Sequence, residues 1–265
     1  MTYCAVIPTY NNASTVADIV RRTLAVCPDV IVVNDGSTDN TLDELSGIEC
    51  EMVSYSHNRG KGYALRRGLE AARKAGYDYA VTIDSDGQHR PEEIPQLIAA
   101  ISNEPLANNQ ERHEMAKSVS PGQRPGFRHE MPTLVVGSRN LQADGMPAGN
   151  SFANRFSNFW FTLQTGLRLP DTQTGFRAYP LHHLPCLSLL TRRYESELLL
   201  LVLSAWRGVR IVPVPVSVSY PSDRVSHFRP FRDFMRISVL NALLCLLAIV
   251  YGYPRMLISK LTCKQ

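Results

Sequence analysis

The stretch most suggestive of chemistry is Val81-Thr-Ile-Asp-Ser-Asp-Gly-Gln-His89, in which an apolar run ends in two aspartates. In a strand, residues two apart point the same way, so Asp84 and Asp86 would present two carboxylates on one side of a strand end. Hard cations such as Mg²⁺ and Mn²⁺ prefer oxygen ligands, often one or two carboxylates with substrate phosphates. The pattern therefore predicts a site for a metal and a diphosphate, although Asp-Ser-Asp-Gly is also typical of a plain turn.

Three more polar segments stand at comparable places. Residues 34–41, Asn-Asp-Gly-Ser-Thr-Asp-Asn-Thr, follow an apolar strand, where Asp35 can accept hydrogen bonds from a nucleotide base or ribose. Residues 8–12, Pro-Thr-Tyr-Asn-Asn, hold the same place after the first strand. Residues 58–62, Asn-Arg-Gly-Lys-Gly, open a helix, and free backbone N–H groups together with Lys61 would favour an anion there. That segment has neither P-loop spacing nor a dinucleotide fingerprint.

The elements that must position these residues alternate between strand and helix. Apolar runs predict strands at Tyr3–Pro8, Val30–Asn34, Glu51–Tyr55, Tyr79–Asp84, Thr133–Gly137 and Val209–Val218. Helix-period segments lie between the first four, and further helices are predicted over 150–167 and 195–206. This rhythm favours an α/β fold with a mostly parallel sheet covered by helices, which binds ligands at the carboxyl ends of its strands. Pro213 and Pro215 indicate that the last strand is an edge strand.

Composition narrows the class of protein. The 265 residues are 44% hydrophobic with a net charge of +4, so a full core can be buried and no nucleic-acid footprint is evident. Six cysteines without metal spacing fit a reducing compartment. The chain opens directly into a strand, and we expect no signal peptide. Residues 103–132 are polar and aperiodic, which predicts a surface insertion.

Seven motifs in order carry a resemblance that covers residues 4 to about 220. They are PTYNN, VNDGSTDNT, NRGKGYALRRG, IDSDGQH-PEE, VGSRN, NRFSN and DTQTGFRAY. Together they resemble the inverting glycosyltransferases of family 2, which have the GT-A fold. Within that family they look most like the branch of dolichyl-phosphate mannosyltransferases and polyprenyl-phosphate glycosyltransferases. The resemblance implies a nucleoside-diphosphate sugar donor, a polyprenyl-phosphate acceptor and a Mg²⁺ or Mn²⁺ ion.

The same resemblance implies roles for individual residues. Pro8, Tyr10, Asn11 and Asp35 would contact the nucleotide, with Lys61 close by, and Asp84, Asp86 and Gln88 would hold the metal. Arg139 and Arg155 match basic positions that grip phosphate oxygens, a task suited to guanidinium forks. Asp171, Gln173 and Arg177 match the loop on the acceptor side. The processive signature Q-x-x-R-W is absent from the sequence, so chain polymerisation is not expected.

The acceptor decides whether a general base is needed. A lipid phosphate is already an anion, whereas a hydroxyl must lose a proton to a carboxylate, for which Asp171 is the first choice and Glu195 or Glu197 the next. Two other classes remain open. A nucleotidyltransferase would need a Gly-rich phosphate loop after the first strand, which is missing. A non-catalytic binding module is disfavoured by the intact pair Asp84 and Asp86.

The C-terminal part predicts where the protein works. Ile237–Tyr253 is almost wholly apolar and reaches roughly 25 Å as a helix, which is short for a membrane span. Before it, residues 224–236 interleave four arginines with three phenylalanines, as interfacial helices do. We predict a catalytic domain over 1–222 and a membrane-associated segment over 223–265, lying on the cytoplasmic face as a shallow hairpin. A buried helix or a homo-oligomer interface are the alternatives.

Overall fold

The computed structural model describes residues 1–102, 132–139, 148–219 and 230–262. These ranges form a three-layer α/β unit. Its strands are β1 (Tyr3–Thr9), β2 (Val30–Asn34), β3 (Glu51–Ser54), β4 (Tyr79–Thr82), β5 (Thr133–Arg139), β6 (Arg177–Pro180) and β7 (Arg210–Val216). Its helices are α1 (Val16–Leu24), α2 (Thr41–Glu44), α3 (Lys61–Lys74), α4 (Ile94–Ser102), α5 (Ala148–Thr165), α6 (Glu195–Trp206), α7 (Pro230–Leu247) and α8 (Tyr253–Thr262).

The strands form one sheet in the order β3-β2-β1-β4-β6-β5-β7. β1 pairs in parallel with β2 and β4, and β5 pairs in parallel with β7. β6 runs antiparallel between β4 and β5. Because strands β2 and β4 flank β1 on opposite sides, the loops after β1 and β4 meet at a topological switch point, the usual ligand crevice of such sheets.

Two apolar layers hold the sheet between its helices. One face packs on α3, α5 and α6, and the other packs on α1 and α4. β2 and β4 are buried along their whole length, as expected for strands covered on both faces. Gly68 lets α3 approach the sheet closely, since a Cβ there would collide with Val6.

The predicted α/β fold with a mostly parallel sheet is confirmed, and so is the edge position of the proline-bearing strand β7. Helix α6 has the predicted bounds, whereas β4 ends at Thr82 instead of Asp84. The short strand β6 was not predicted. It has only four residues, follows a polar loop and ends in a proline, so its period-2 signal is too brief to read. The predicted insertion over 103–132 lies outside the described residues except for Pro132.

The C-terminal segment is one helical run, not a hairpin within the part that is described. α7 passes through a π-helical turn, Ala248–Gly252, directly into α8. Leu240, Leu244 and Ala248 are buried in the core cluster on the α5–α6 side. The predicted domain boundary at 222/223 lies outside the described residues.

Candidate active site

The sheet brings most of the predicted site residues to one edge. The carboxyl ends of β1, β2, β4 and β5 lie at this edge, and so does the beginning of the antiparallel strand β6. The loop after β1 carries Tyr10, the loop after β4 carries Asp84, β5 ends at Arg139, and the loop before β6 carries Asp171. The fold therefore gathers residues that are far apart in the chain.

Ser85 ties the two central loops together. Its hydroxyl accepts a hydrogen bond from Asn12 Nδ2 at 2.7 Å and donates to the Pro8 carbonyl at 3.2 Å, while its own carbonyl accepts from Thr15 Oγ1 at 2.6 Å. Ser85 is buried, whereas Asp84 and Asp86 on either side are partly exposed. The strand alternation predicted for this segment does not continue past β4, because Ser85 and Asp86 form a turn after the strand has ended at Thr82. Asp86 Oδ1 accepts a hydrogen bond from the Gln88 N–H at 3.1 Å, so the typical turn and a pair of partly exposed carboxylates occur together here.

Lys61, Asp84 and Glu197 form a charged trio. We call it the donor half of the site, after the role predicted from the sequence for Lys61 and Asp84. Lys61 Nζ lies 2.9 Å from Oδ1 and 3.0 Å from Oδ2 of Asp84, and 3.2 Å from Oε1 of Glu197. Burial would raise the pKa of Asp84, but the charge and hydrogen bond of Lys61 outweigh it, so this pKa lies below its usual value. Burial raises the pKa of Glu197, and Lys61 offsets this only in part. The trio carries a net charge of about −1 when Glu197 is ionised.

Asp35 does not face the cleft with free oxygens. It is buried, and its two carboxylate oxygens accept the backbone N–H groups of Arg59 and Gly60, each at 2.8 Å. The N–H of Gly62 donates to the Arg192 carbonyl at 3.0 Å. The prediction that free N–H groups at the start of α3 attract an external anion is therefore wrong for these three positions. The helix N-terminus binds the protein's own carboxylate. These hydrogen bonds fix the backbone on both sides of Lys61.

The residues predicted for a metal fit a hard divalent ion by their donor atoms. Asp84 and Asp86 supply carboxylates and Gln88 supplies a carboxamide oxygen, all hard ligands. The Gln88 side chain is buried, and its Nε2 has no hydrogen-bond partner among the described residues. Exchanging the amide N and O by a flip would leave a carboxamide oxygen in that unsatisfied position, which is the donor type that a hard ion prefers. No group of three or more His, Cys, Asp or Glu suited to a metal is found in the described ranges. Two acidic residues and an amide form the set here.

A second charged cluster is centred on Arg139 and Asp171. We call it the acceptor half, after the role predicted from the sequence for these residues. Arg139 grips Asp171 with two guanidinium nitrogens, Nε at 2.5 Å and Nη2 at 3.0 Å, and Asp171 is fully buried. Asn154 Nδ2 at 2.6 Å and the Gln173 N–H at 3.0 Å donate to the same carboxylate. Burial would raise the pKa of Asp171, but these donors, Arg139 first, hold it below its usual value. A carboxylate so occupied is a poor general base.

The two halves touch through Gly175. A Cβ at this position would come within 2.6 Å of Asp84 Oδ2, so only glycine lets the loop that begins at Asp171 approach the aspartate. The acceptor loop and the donor carboxylate are therefore direct neighbours.

Arg177 lies elsewhere than predicted. It is fully buried, and its guanidinium donates to the carbonyls of Thr172, Thr174 and Glu197. These hydrogen bonds connect the loop before β6 to α6. Arg177 therefore has a structural role, and the prediction that it contacts the acceptor is not supported by its position. Burial would lower its pKa, but Tyr179 and Glu197 raise it above its usual value.

The remaining predicted residues differ in how firmly they are held. Asn11 has a φ of 51° and exchanges hydrogen bonds with Thr38, which joins the loops after β1 and β2. Gln173 is exposed and donates to the Ala153 carbonyl at 3.2 Å. Arg155 is exposed on α5, and no ion pair of its side chain is recorded within the described ranges. Pro8 and Tyr10 are partly exposed beside the cleft.

The sequence assigned no role to two residues at this site, Asn154 and His89, and it gave no sign of how deeply a third, the candidate base Glu195, is buried. Asn154 precedes Arg155 in the motif NRFSN, yet only the fold shows that it binds Asp171. His89 is buried against Phe176 with its Nδ1 unpaired among the described residues, and burial lowers its pKa to about 4. Glu195 is buried with Oε2 unpaired in the same sense. Sequence alone signals none of these environments, because each depends on contacts across the sheet.

Comparisons with known proteins identify the family and the fold of this chain. A UDP-N-acetylglucosamine–dolichyl-phosphate N-acetylglucosaminyltransferase from Methanococcus voltae is 28% identical over 238 residues, which cover 81% of this chain and 84% of the relative. An undecaprenyl-phosphate mannosyltransferase from Micrococcus luteus is 27% identical over 230 residues, covering 82% and 83%. These names match the branch that the motifs resemble.

Among solved structures, the fold is similar to glucosyl-3-phosphoglycerate synthase from Mycobacterium tuberculosis in complex with Mn²⁺, UDP and phosphoglyceric acid. That likeness has a TM-score of 0.59 at 20% identity and covers 93% of this chain and 78% of the other. It supports the GT-A fold alone. The sequence model described as glycosyl transferase family 2 matches residues 4–142, more than half of the chain, and the chain therefore belongs to glycosyl transferase family 2.

Proposed function

We propose that this glycosyltransferase moves a sugar from a nucleoside-diphosphate donor to a polyprenyl phosphate, with inversion at the anomeric carbon. The observation that carries the proposal is the likeness to two polyprenyl-phosphate and dolichyl-phosphate sugar transferases over more than 80% of both chains. The closed state of Asp171 supports it independently. A phosphate acceptor needs no general base. Both carboxylate oxygens of the buried Asp171 already accept hydrogen bonds within the protein, so Asp171 is not available to take a proton from an acceptor.

The chain's own residues account for the transfer as follows. An acceptor phosphate oxygen attacks the anomeric carbon while the bond to the donor's β-phosphate breaks, and the nucleoside diphosphate leaves with the bonding electrons. Asp84, Asp86 and Gln88 would hold Mg²⁺ or Mn²⁺, which neutralises charge on the departing diphosphate. Lys61 lies beside this set and can add a further positive charge. The exposed Arg155, which has no ion pair with any residue that the structure describes, can donate to the acceptor phosphate.

A hydroxyl acceptor is the second candidate, and one observation bears on it. Such an acceptor needs a carboxylate with a free oxygen. Glu195 at the start of α6 has one buried oxygen without a partner among the described residues, whereas Asp171 accepts hydrogen bonds on both oxygens. If the acceptor is a hydroxyl, Glu195 replaces Asp171 as the base of choice.

A product analysis separates the two acceptors. The full-length protein is incubated with Mn²⁺, a panel of UDP- and GDP-sugars, and either a polyprenyl phosphate or the corresponding free polyprenol. We expect nucleoside diphosphate release only with the phosphate, and a lipid product from which mild acid releases the sugar. Release with the polyprenol, or with a glycan hydroxyl, would contradict the phosphate acceptor.

We also propose that the C-terminal helix lies on a membrane and does not cross it. One helix in the described part of the chain, Met235–Ile258, is long and apolar enough to span a bilayer, and only 28% of its apolar window is buried. Yet its middle is fixed to the catalytic domain. Asn241 is fully buried and accepts a hydrogen bond from Gln164 Nε2 at 3.0 Å, and Gly252 packs directly on Trp206. A spanning helix would draw these contacts into the hydrocarbon.

The opposite side of the helix is apolar and open. Val239, Leu246, Ile249 and Val250 are 65%, 66%, 70% and 80% exposed. The neighbouring helix α5 extends this surface with exposed apolar residues, Phe159 and Leu163, and the Leu163 carbonyl accepts a hydrogen bond from the Tyr253 hydroxyl. The exposed residues Arg236 and Arg255 stand near its two ends. Such a surface suits the boundary between acyl chains and anionic headgroups.

Vesicle flotation tests this arrangement. Wild type should float with vesicles that contain anionic lipid and be released by an alkaline carbonate wash, because a lying helix is peripheral. Val250→Glu should reduce flotation without unfolding the domain, since the side chain is 80% exposed. Leu189→Glu, at a leucine 61% exposed on a turn beside α3, is the matched control and should float normally. Retention after the alkaline wash would indicate a spanning helix instead.

A further inference from the structure

Lys61 holds the very carboxylate that the donor site needs. Its ammonium lies within 3.0 Å of both oxygens of Asp84, so a second cation bound to this carboxylate would lie close to the ammonium. Two cations that share one carboxylate repel each other strongly at such distances, above all in a partly buried site. The side chains of Lys61 and Asp84 are 22% and 25% exposed, so water screens this repulsion only in part. A divalent ion can therefore take Asp84 fully only when Lys61 moves away.

Glu197 gives Lys61 a second place to stay. Its Oε1 is 3.2 Å from Lys61 Nζ, and its side chain is only 10% exposed. The backbone around Glu197 is rigid, because its carbonyl accepts a hydrogen bond from Arg177 at 2.8 Å. Gly62 packs against Ser196 so closely that a Cβ would collide, which fixes the start of α3 against the start of α6. The two helix ends thus keep Lys61 and Glu197 within reach of each other.

We propose that Lys61 is an internal counter-ion that exchanges with the divalent ion. Without donor, Lys61 neutralises Asp84. When the donor and its metal bind, Lys61 would release Asp84 to the ion and move toward the diphosphate. The ion pair with Glu197 would keep the Lys61 ammonium near the site. Lysine suits this exchange because its ammonium is a compact charge on a flexible stem. Glu197 is then a positioning residue that acts through Lys61, distinct from any role as a base.

The consequence is that metal and donor bind as a coupled pair. Lys61 opposes the metal when the diphosphate is absent and assists the diphosphate once the metal is bound. By linkage, whatever the nucleotide adds to metal affinity, the metal adds equally to nucleotide affinity. The inference rests on the proposed function, since it takes Asp84 as a metal ligand.

Mn²⁺ binding to the full-length protein tests the exchange without any turnover. Free Mn²⁺ is counted by electron paramagnetic resonance, first without nucleotide and then with UDP or GDP. Lys61→Met keeps the aliphatic stem and removes the competing charge, so it should bind Mn²⁺ alone roughly tenfold more tightly than wild type. It should also gain less affinity for Mn²⁺ from the nucleotide. Arg67→Met removes one positive charge from the same helix and should behave as wild type.

Glu197→Gln is a second, independent test, in which the affinity for Mn²⁺ should change in the opposite direction. Lys61 then has only Asp84 as a partner, so Mn²⁺ alone should bind more weakly than to wild type, by several-fold. Circular dichroism confirms that each variant is folded. Unchanged or weaker Mn²⁺ binding by Lys61→Met, or unchanged binding by Glu197→Gln if Lys61→Met does not fold, would overturn the exchange alone. If wild type binds no Mn²⁺ even with both nucleotides, the metal in the proposed function fails and the exchange fails with it.

Discussion

The two halves of the site solve the same electrostatic problem in opposite ways. Each pairs a cation with a carboxylate, Lys61 with Asp84 on the donor side and Arg139 with Asp171 on the acceptor side. On the donor side both partners are about a quarter exposed and the cation is shared with Glu197. On the acceptor side Asp171 is fully buried, gripped by a two-pronged guanidinium and bonded by two further donors.

This difference in burial and hydrogen bonding indicates which of the two ion pairs can exchange its cation for a divalent ion. A lysine holds its partner as a point charge and can leave without breaking a planar arrangement, whereas a bidentate arginine fork is specific in geometry. Removing either partner of the buried pair would leave an uncompensated charge in the protein interior. We therefore interpret the donor pair as adjustable and the acceptor pair as a fixed part of the fold that shapes the loop before β6.

Asp171→Ala should break the fixed pair and cause the largest loss of stability. It leaves the Arg139 guanidinium, Asn154 and the Gln173 N–H without their acceptor, so the free energy of unfolding should fall by about 3–5 kcal/mol. Urea unfolding of wild type and variant at neutral pH measures this, with Asp84→Ala as the matched change in the adjustable pair and a smaller expected loss. A wild-type unfolding midpoint combined with lost activity would restore Asp171 as a catalytic base.

Asp86→Asn should affect chemistry and leave stability alone. Asp86 is partly exposed, and the change keeps its shape while removing a charge from the predicted metal set. If the ion supplies several kcal/mol of transition-state stabilisation, transfer should slow by about a thousandfold. The assay is nucleoside diphosphate release at saturating Mn²⁺, and Asp43→Asn on the exposed side of α2 is the control. Near-normal turnover in chelator-treated buffer would exclude Asp86 from a metal site.

Local patterns were enough to predict the sheet edge and the order of elements. The period of the apolar runs and the turn residues after β2 and β4 predict Asp35 and Asp84 at strand ends, and the structure has both in the loops that follow these strands. What a side chain does there depends on partners far away in sequence. Asp35 turned out to bind Arg59 and Gly60 in its own chain, and Arg177 is buried beneath α6. Neither contact leaves a periodic signal, because each joins residues that are 20 or more positions apart in the chain.

The two arginines that the sequence placed in one role are separated by the structure. Arg155→Ala should lower kcat/KM for the polyprenyl phosphate by about tenfold to a hundredfold, the value of a hydrogen bond to a charged group, and leave the unfolding midpoint unchanged. Arg139→Ala should instead lower the midpoint, because Asp171 loses its main partner. Arg168→Ala, at an exposed arginine beyond α5, is the control for the loss of one positive surface charge. Loss of donor binding in Arg155→Ala would reassign Arg155 to the diphosphate.

The two halves should contribute differently to the pH dependence of the free energy of unfolding in acid. The folded pKa of Asp171 lies below its ordinary value of 3.8, so the unfolded chain binds more protons in acid. The stability from this pair is therefore complete above that value and is lost as the pH falls through the folded pKa.

Glu197 has the opposite sign, because its folded pKa lies above the ordinary value of 4.5. Its contribution is complete below that value and is lost as the pH rises through the folded pKa. The donor half therefore combines an acid loss from Asp84 with a loss from Glu197 at higher pH, whereas the folded pKa of Asp171 gives the acceptor half an acid loss alone. We expect the free energy of unfolding of Asp171→Asn to fall less steeply than that of wild type between about pH 5 and pH 3, the range in which carboxylates titrate. Equal slopes in urea titrations across that range would show that the buried arginine pair does not set the acid limit.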